Sequence, residues 1–251
     1  MLGWGGLLMN YSLTKRMAAE FAGTAALVAT VVGSGIMGDK LSNGNVAVAL
    51  LANSLATGAV LFVLIAALGE FSSAHYNPAV SLAMAVKGAF PMREVLPYSV
   101  AQITGGIAGT MITQVMFGLP VVDWSNHARN GVGTLVGEVV ATFGLLCVIE
   151  MCGKRKLECV AASVGLYVTA AIWFTSSTSF ANPAVTIARS FTNTFAGIRP
   201  ADILMFTAAQ VIGALAGVGF CGWLAREEQP VVCMAAQREG ECSDLRSISG
   251  L

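Results

Sequence analysis

The same four-residue pattern occurs twice in this chain, at Asn77-Pro78-Ala79-Val80 and at Asn182-Pro183-Ala184-Val185. Asparagine is a favourable helix N-cap, and proline is tolerated at the first helical position because its missing N–H has no helical partner there. A run long enough to span a bilayer precedes each copy, but only about ten apolar residues follow it. We therefore expect two short helices that re-enter the membrane and meet at their N-terminal ends, with the amide N–H groups of both asparagines free.

The composition is that of an integral membrane protein. Hydrophobic residues make up 55% of the chain and charged residues 11%, against about 25% charged in soluble domains. The 14 basic and 14 acidic residues balance, so no basic surface predicts nucleic-acid binding. The six cysteines imply no disulfide framework, and Cys233 and Cys242 with only two histidines are too few for a four-ligand metal site. No metal and no cofactor are expected.

Hydrophobic runs predict six spans and two half-helices between short polar segments. We expect a cytoplasmic N-terminus over residues 1–16, a channel domain over residues 17–225 and a polar cytoplasmic tail over residues 226–251. The predicted spans are 17–38, 45–69, 94–117, 132–152, 157–176 and 202–224, and the predicted half-helices are 77–87 and 182–192.

The second half of the chain echoes the first. Glu138 follows glycine in a segment similar to the one around Glu20, and Ala209-Gln210 with its later glycines matches Ala101-Gln102. These echoes define repeat halves of about 17–117 and 132–224. Three spans separate the two copies of each element, so the copies run in opposite directions, which is the inverted-repeat plan of many transport proteins. The Gly-x-x-x-Gly spacings at Gly105 and Gly213 are interpreted as helix-packing sites.

The paired Asn-Pro-Ala motifs within an inverted repeat resemble the aquaporin, or major intrinsic protein, family over about residues 16–226. The resemblance implies an all-α membrane protein with six transmembrane helices and two re-entrant half-helices. It also implies a homotetramer with one pore in each subunit, in which Asn77 and Asn182 donate to solute at the pore centre.

The same resemblance implies an outer constriction, or ring, and here the sequence departs from the family. In the family an arginine stands three residues after the second asparagine, but this chain has Val185 there. The other positions of the ring fall on Thr57 from span two and on Ser179 from the second loop. Span five contributes Ile172 or, in a shifted register, Ala170. A ring of this kind is neutral and lacks a bulky aromatic residue, so larger uncharged solutes should fit.

Arg189 follows one helical turn beyond Val185 on the same helix face. We expect its side chain above the ring, at the outer mouth, as a mouth-lining group or as a residue that snorkels to the interface.

Charged residues inside a span are costly and usually face protein or water. Glu20 and Glu138 are predicted to accept hydrogen bonds from the non-helical backbone before each half-helix, a role that the family resemblance also implies. His75 either bonds to this loop or lines the pore. Glu70 is either solvated or holds the same loop.

These observations predict a passive channel for small uncharged solutes: water, glycerol-like polyols and undissociated metalloid acids such as arsenite. A water-selective channel, an ion-coupled transporter and a scaffold with a vestigial pore are the alternatives. No constellation of side chains suggests an enzyme. The distribution of lysine and arginine among short loops predicts that both termini are cytoplasmic. We expect a plasma or inner membrane protein whose partners are the lipid bilayer and small neutral solutes.

Overall fold

The computed structural model describes residues 11–226, whose regular secondary structure is helical, with no strand in this range. Helices α3 and α7 are the half-helices and the other six are long. A 3-10 turn follows α7 and another precedes α8. The helices are α1 (Leu13–Leu41), α2 (Val46–Ser72), α3 (Pro78–Val86), α4 (Met92–Met116), α5 (Val132–Cys152), α6 (Leu157–Phe174), α7 (Pro183–Ala188) and α8 (Ile203–Leu224), with 3-10 turns at Arg189–Phe191 and Pro200–Asp202.

The long helices extend beyond the predicted limits at several ends. Helix α1 begins at Leu13, four residues before the predicted start, because the Ser12 side chain caps it by accepting from the Lys15 N–H at 3.4 Å. Helix α2 continues to Ser72 rather than ending near 69. Residues 1–10 and the predicted tail with Cys233 and Cys242 lie outside the described residues.

Within the described range, five helices are long and apolar enough to cross a membrane, and α4 is not among them. Helix α4 has 25 residues but buries the polar side chains of Glu94, Gln102 and Gln114. Because α4 packs against α1 and both half-helices, these side chains face protein rather than lipid. Burial against protein lets a polar helix serve as the sixth span.

Small residues allow two helix pairs to approach closely in the compact unit Met1–Cys221. A Cβ atom added at Gly105 of α4 would overlap the Phe21 carbonyl oxygen of α1, and one added at Gly213 of α8 would overlap the Val139 carbonyl oxygen of α5. The two contacts occupy matching positions of the repeat. These contacts agree with the packing interpretation of the Gly-x-x-x-Gly spacings. Beyond this unit, only residues 222–226 are described, and they contain the last turn of α8.

Candidate functional site

Each half-helix begins at the proline of its motif and is capped by the preceding asparagine. Asn77 Oδ1 accepts from the Ala79 N–H at 2.9 Å and from the Val80 N–H at 3.5 Å. Asn182 Oδ1 accepts from the equivalent groups of Ala184 and Val185 at 2.9 and 3.3 Å. The caps satisfy N–H groups that have no partner inside the short helices.

The expectation that both amide hydrogens of each asparagine are free is wrong. Asn77 Nδ2 donates to the Ala181 carbonyl at 2.7 Å, and Asn182 Nδ2 donates to the Tyr76 carbonyl at 2.7 Å. These carbonyls precede the helices, so they have no helical donor and take one hydrogen from the opposite asparagine. One amide hydrogen remains on each side chain, and both asparagines line the central cavity.

The loops before the two asparagines share an unusual backbone conformation. In each loop the residues four, three and one before the asparagine have positive φ without being glycine, which is uncommon and strained. Their φ values are 68°, 47° and 48° at Ser73, Ala74 and Tyr76, and 60°, 47° and 49° at Thr178, Ser179 and Ala181.

Glu20 holds the first loop in this conformation. It is fully buried, and its Oε1 accepts from the Ser72 hydroxyl at 2.7 Å and from the His75 N–H at 2.9 Å. Its Oε2 accepts from the Tyr76 N–H at 2.6 Å and from Gln102 Nε2 at 2.8 Å. Four donors therefore converge on a carboxylate that would otherwise be unpaired in the interior.

Glu138 makes the matching contacts with the second loop. Its two oxygens accept from the backbone N–H groups of Phe180 at 2.9 Å and Ala181 at 2.8 Å, and from Gln210 Nε2 at 2.6 Å. The inverted repeat thus extends from the helices to individual hydrogen bonds.

Sequence reasoning missed the role of Gln102 and Gln210. Each glutamine also donates to a hydroxyl on the half-helix that it faces, Gln102 to Ser81 at 3.1 Å and Gln210 to Thr186 at 2.8 Å. The signal was available, because both glutamines occupy the same place in the repeat and both hydroxyl residues follow the motif asparagine by four positions. The glutamines connect the buried glutamates to the half-helices.

His75 bonds through its side chain to a hydroxyl rather than to loop backbone. Its Nδ1 lies 3.0 Å from Ser81 Oγ, its ring packs edge-on against Phe90, and the residue also lines the cavity. Glu70 is exposed, so it does not hold the loop.

A cavity of about 940 Å³, a value that includes the solvent open to it, runs between the two half-helices and four long helices. Its lining includes aliphatic side chains from α1, α2, α5 and α6. It also includes the two loops and both motif asparagines, and the carbonyls of the loop residues Ala74, His75, Ser179 and Phe180 receive no hydrogen bond from the described residues. The cavity therefore combines apolar side chains with loops that have unpaired hydrogen-bonding groups.

The four residues assigned to the outer ring all line this cavity and are buried: Thr57, Ile172, Ser179 and Val185. Ala170 is exposed and does not line the cavity, so of the two candidate residues from α6 Ile172 is the one that lines it. The Thr57 hydroxyl donates to the Asn53 carbonyl in its own helix at 2.8 Å. The Ser179 hydroxyl is buried without a partner among the described residues.

Arg189 lines the cavity and is not a residue that snorkels to the interface. It is 7% exposed and lines the same cavity as the ring. Helix α7 ends at Ala188, where the Thr110 hydroxyl of α4 donates to the last carbonyl at 3.0 Å. The carbonyl of Arg189 then accepts from the Ile198 N–H at 3.3 Å. The Arg189 N–H nevertheless bonds to the Val185 carbonyl, so Arg189 keeps the spacing of one helical turn from the ring. Its side chain is buried because it contacts the Ala196 carbonyl and the Phe180 ring.

Phe180 lies beside two arginines at this end of the cavity. The Cζ atom of Arg189 is 3.5 Å from the ring centroid and that of Arg129 is 4.9 Å from it. Arg129, in the segment between α4 and α5, donates from Nε to the Gly197 carbonyl at 2.8 Å. Burial lowers the pKa of the Arg129 guanidinium from its ordinary value, and the Glu138 charge partly opposes this shift.

Comparison with known proteins agrees with this arrangement. The sequence profile described as Major intrinsic protein matches residues 8–158, which is more than half of the chain. The chain belongs to the major intrinsic protein family. It is an integral, multi-pass membrane protein.

Two curated relatives and one solved structure illustrate the similarity. The chain is 48% identical to Aquaglyceroporin AqpS of Rhizobium meliloti (strain 1021), over 90% of this chain and 96% of the relative. It is 31% identical to Aquaporin NIP2-1 of Oryza sativa subsp. japonica, over 94% of this chain and 76% of the relative. The fold is similar to that of the aquaglyceroporin from Plasmodium falciparum, with a TM-score of 0.64 and 22% identity over 90% of this chain and all of that one.

Proposed function

We propose that the protein is a passive channel for water, glycerol-type polyols and undissociated metalloid acids such as arsenite. The observation that carries the proposal is the mixed lining of the cavity, which combines aliphatic side chains with the loops and the motif asparagines. A polyol presents both carbon atoms and hydroxyl groups, so aliphatic side chains can pack on its carbons while the polar groups replace the hydration of its hydroxyl groups. The name of the AqpS relative, an aquaglyceroporin, supports the same class of solute.

The ring of Thr57, Ile172, Ser179 and Val185 is proposed to set the upper size of the solute. None of these side chains is aromatic or charged, which favours neutral solutes larger than water. Asn77 and Asn182 are proposed to offer their remaining amide hydrogens at the pore centre. Glu20 and Glu138 are proposed to support the two loops, and His75 is proposed to tie the first loop to α3 through Ser81.

An ion-coupled transporter would need an ionisable site at the middle of the membrane. Both carboxylates at that depth are buried and occupied by backbone and glutamine donors, and Glu70 is exposed. Of the three candidate carboxylates among the described residues, Glu20, Glu138 and Glu70, none is both at this depth and free to bind a coupling ion. Because the two buried carboxylates already accept hydrogen bonds, passive flux is favoured.

The assembly and the orientation belong to the same proposal. Apolar side chains that remain exposed on the long helices, such as Leu96 on α4 and Leu166 on α6, suit contact with lipid or with other subunits, and we propose a homotetramer. The lysines and arginines of the short segments favour an orientation with both termini cytoplasmic, and we propose an inner membrane location.

The test is a shrinkage and swelling assay on purified protein reconstituted in vesicles, with water, glycerol, urea and arsenite gradients and protein-free vesicles as the control. We expect glycerol and arsenite flux to rise linearly with the solute gradient and to be unchanged by sodium or proton gradients. Flux that depends on either ion gradient would support a coupled transporter instead. Water flux without glycerol flux would support a water-selective channel.

A further inference from the structure

Arg189 is a buried arginine without a carboxylate partner among the described residues. The ion pairs of the described range join Arg16 to Glu94, Lys87 to Glu150 and Arg199 to Asp202. A guanidinium buried at membrane depth is costly unless an opposite charge, water or solute reaches it. The cavity that Arg189 lines provides such access.

Two contacts fix the orientation of this guanidinium. Its Nε donates to the Ala196 carbonyl, and its Cζ lies 3.5 Å from the centroid of the Phe180 ring. Stacking on an aromatic face holds a planar guanidinium in place. The two Nη atoms carry four N–H donors, and no acceptor among the described residues bonds to them.

Ser179 provides a second, independent indication of a ligand at the same end of the cavity. The residue is 6% exposed and lines the cavity, and its hydroxyl has no partner among the described residues. It directly precedes Phe180, on which the Arg189 guanidinium lies. A buried hydroxyl without a partner is unfavourable unless water or solute pairs with it.

We propose that Arg189, together with Ser179, is the specificity-determining site of the outer constriction. The guanidinium takes the role that a positively charged side chain would have at the position of Val185. Its Nη groups and the Ser179 hydroxyl bind oxygen atoms of neutral hydroxylated solutes, and its charge repels monovalent cations. Val185 meanwhile leaves the ring free of a side chain that would narrow it. This proposal rests on the proposed channel function and assigns the residue that selects among its solutes.

The experiment compares vesicle permeability to water, glycerol and the methylammonium ion for four variants: Arg189→Leu, Arg189→Lys, Ser179→Ala and Arg199→Leu. The last removes a positive charge that does not line the cavity. We expect Arg189→Leu to raise methylammonium permeability by about fivefold to tenfold, because a single charge repels a cation by that order at a few ångströms even in high dielectric. Arg189→Lys should retain cation exclusion. Arg199→Leu should match wild type in all three permeabilities.

The glycerol measurements separate the donor geometry from the charge. Both Arg189 variants and Ser179→Ala should lower the ratio of glycerol to water permeability, since lysine keeps the charge but not the planar pair of donors. Wild-type methylammonium exclusion and a wild-type glycerol ratio in Arg189→Leu would overturn the proposal. If that variant does not fold, a wild-type ratio in both Arg189→Lys and Ser179→Ala would overturn it. A wild-type protein that conducts no glycerol would instead reject the polyol function, while the methylammonium measurement would still test the charge of Arg189.

Discussion

Asn77 and Asn182 are joined by a reciprocal pair of hydrogen bonds, in which each amide donates to the carbonyl that precedes the other asparagine, both at 2.7 Å. Each side chain therefore caps its own half-helix and fixes the position of the opposite one. The two halves of the repeat are connected at the centre of the cavity, and not only through the packing of their long helices. The conformation of the two loops that precede the asparagines thus depends on both motifs at once.

Substitutions can separate the two roles of Asn182, the cap of its own half-helix and the bond to the Tyr76 carbonyl. Asn182→Ser retains a capping oxygen but is too short to reach the Tyr76 carbonyl, whereas Asn182→Ala loses both contacts. We expect Asn182→Ala to be less stable than Asn182→Ser by about 1 kcal/mol, the value of a cap, and both to be less stable than wild type. Thermal unfolding in detergent, with water permeability measured in parallel, checks this order.

A matched control exists at Asn45, which caps α2 by accepting from the Ala47 and Val48 N–H groups at 3.1 and 3.3 Å and has no reciprocal partner within residues 11–226. Asn45→Ser should therefore leave stability nearly unchanged. An equal loss of stability in Asn45→Ser and Asn182→Ser would show that the reciprocal bond contributes nothing.

Glu20 has four donors, so its substitutions should differ in a graded way. Glu20→Gln keeps one acceptor oxygen, while Glu20→Ala leaves all four donors without a partner. Since each unpaired buried group costs about 1–3 kcal/mol, we expect Glu20→Gln to be the more stable of the two by at least about 1 kcal/mol. Their unfolding midpoints in detergent provide the measurement.

Exposed Glu70 serves as the control for Glu20, and Glu70→Ala should change stability by no more than about 0.5 kcal/mol. Indistinguishable unfolding of Glu20→Gln and Glu20→Ala would contradict a role as hydrogen-bond acceptor for the loop.

Local sequence rules predicted the start of each half-helix because capping depends on neighbouring residues. Asn-Pro places the cap and the first turn within four positions, and the structure starts α3 at Pro78 and α7 at Pro183. The end of α7 could not be predicted in this way. It involves Thr110 of α4, which is 78 residues away in sequence, and Ile198 in the non-helical segment that follows, and both supply donors to the last carbonyls.

The candidate site shows the same division between local and long-range information. Internal repetition identified Glu20 and Glu138 as a pair, and motif spacing led to Thr57, Ser179 and Val185, all of which line the cavity. The burial of Arg189 was not predictable from a helical wheel, since it depends on the segment that covers the end of α7, where the Ala196 carbonyl accepts from Arg189 Nε. Its contact with Phe180 depends on the strained loop before α7, whose backbone conformation the sequence pattern does not specify.

Close packing of α8 on α5 predicts a strong difference between two glycines of the same helix. Gly213→Ala would place a methyl group against the Val139 carbonyl, whereas a methyl group at Gly219 meets nothing within 4 Å. We expect Gly213→Ala to destabilise the protein by about 1–3 kcal/mol through overpacking, and Gly219→Ala to be neutral or slightly stabilising. Unfolding in detergent compares the pair directly, and equal midpoints would refute close packing at Gly213.

The last prediction concerns the position of the positive charge relative to the ring. Val185→Arg adds a guanidinium to the ring itself, where it narrows the lumen, whereas the native Arg189 lines the cavity beside Phe180 without occupying the Val185 position. We expect Val185→Arg to reduce glycerol permeability strongly and water permeability much less, because the smaller solute still passes a narrowed polar ring. The measurement is the ratio of glycerol to water permeability in reconstituted vesicles.

The double variant Val185→Arg with Arg189→Val moves the arginine by four residues and keeps the total charge constant. If size at the ring decides selectivity, this variant should have the low glycerol ratio of Val185→Arg while retaining cation exclusion. Val185→Leu is the control, since it adds volume without charge and should narrow the ring by less than an arginine. A wild-type glycerol ratio in both arginine-containing variants, with protein of normal stability, would show that Val185 does not form the constriction and that the limiting diameter lies elsewhere along the cavity.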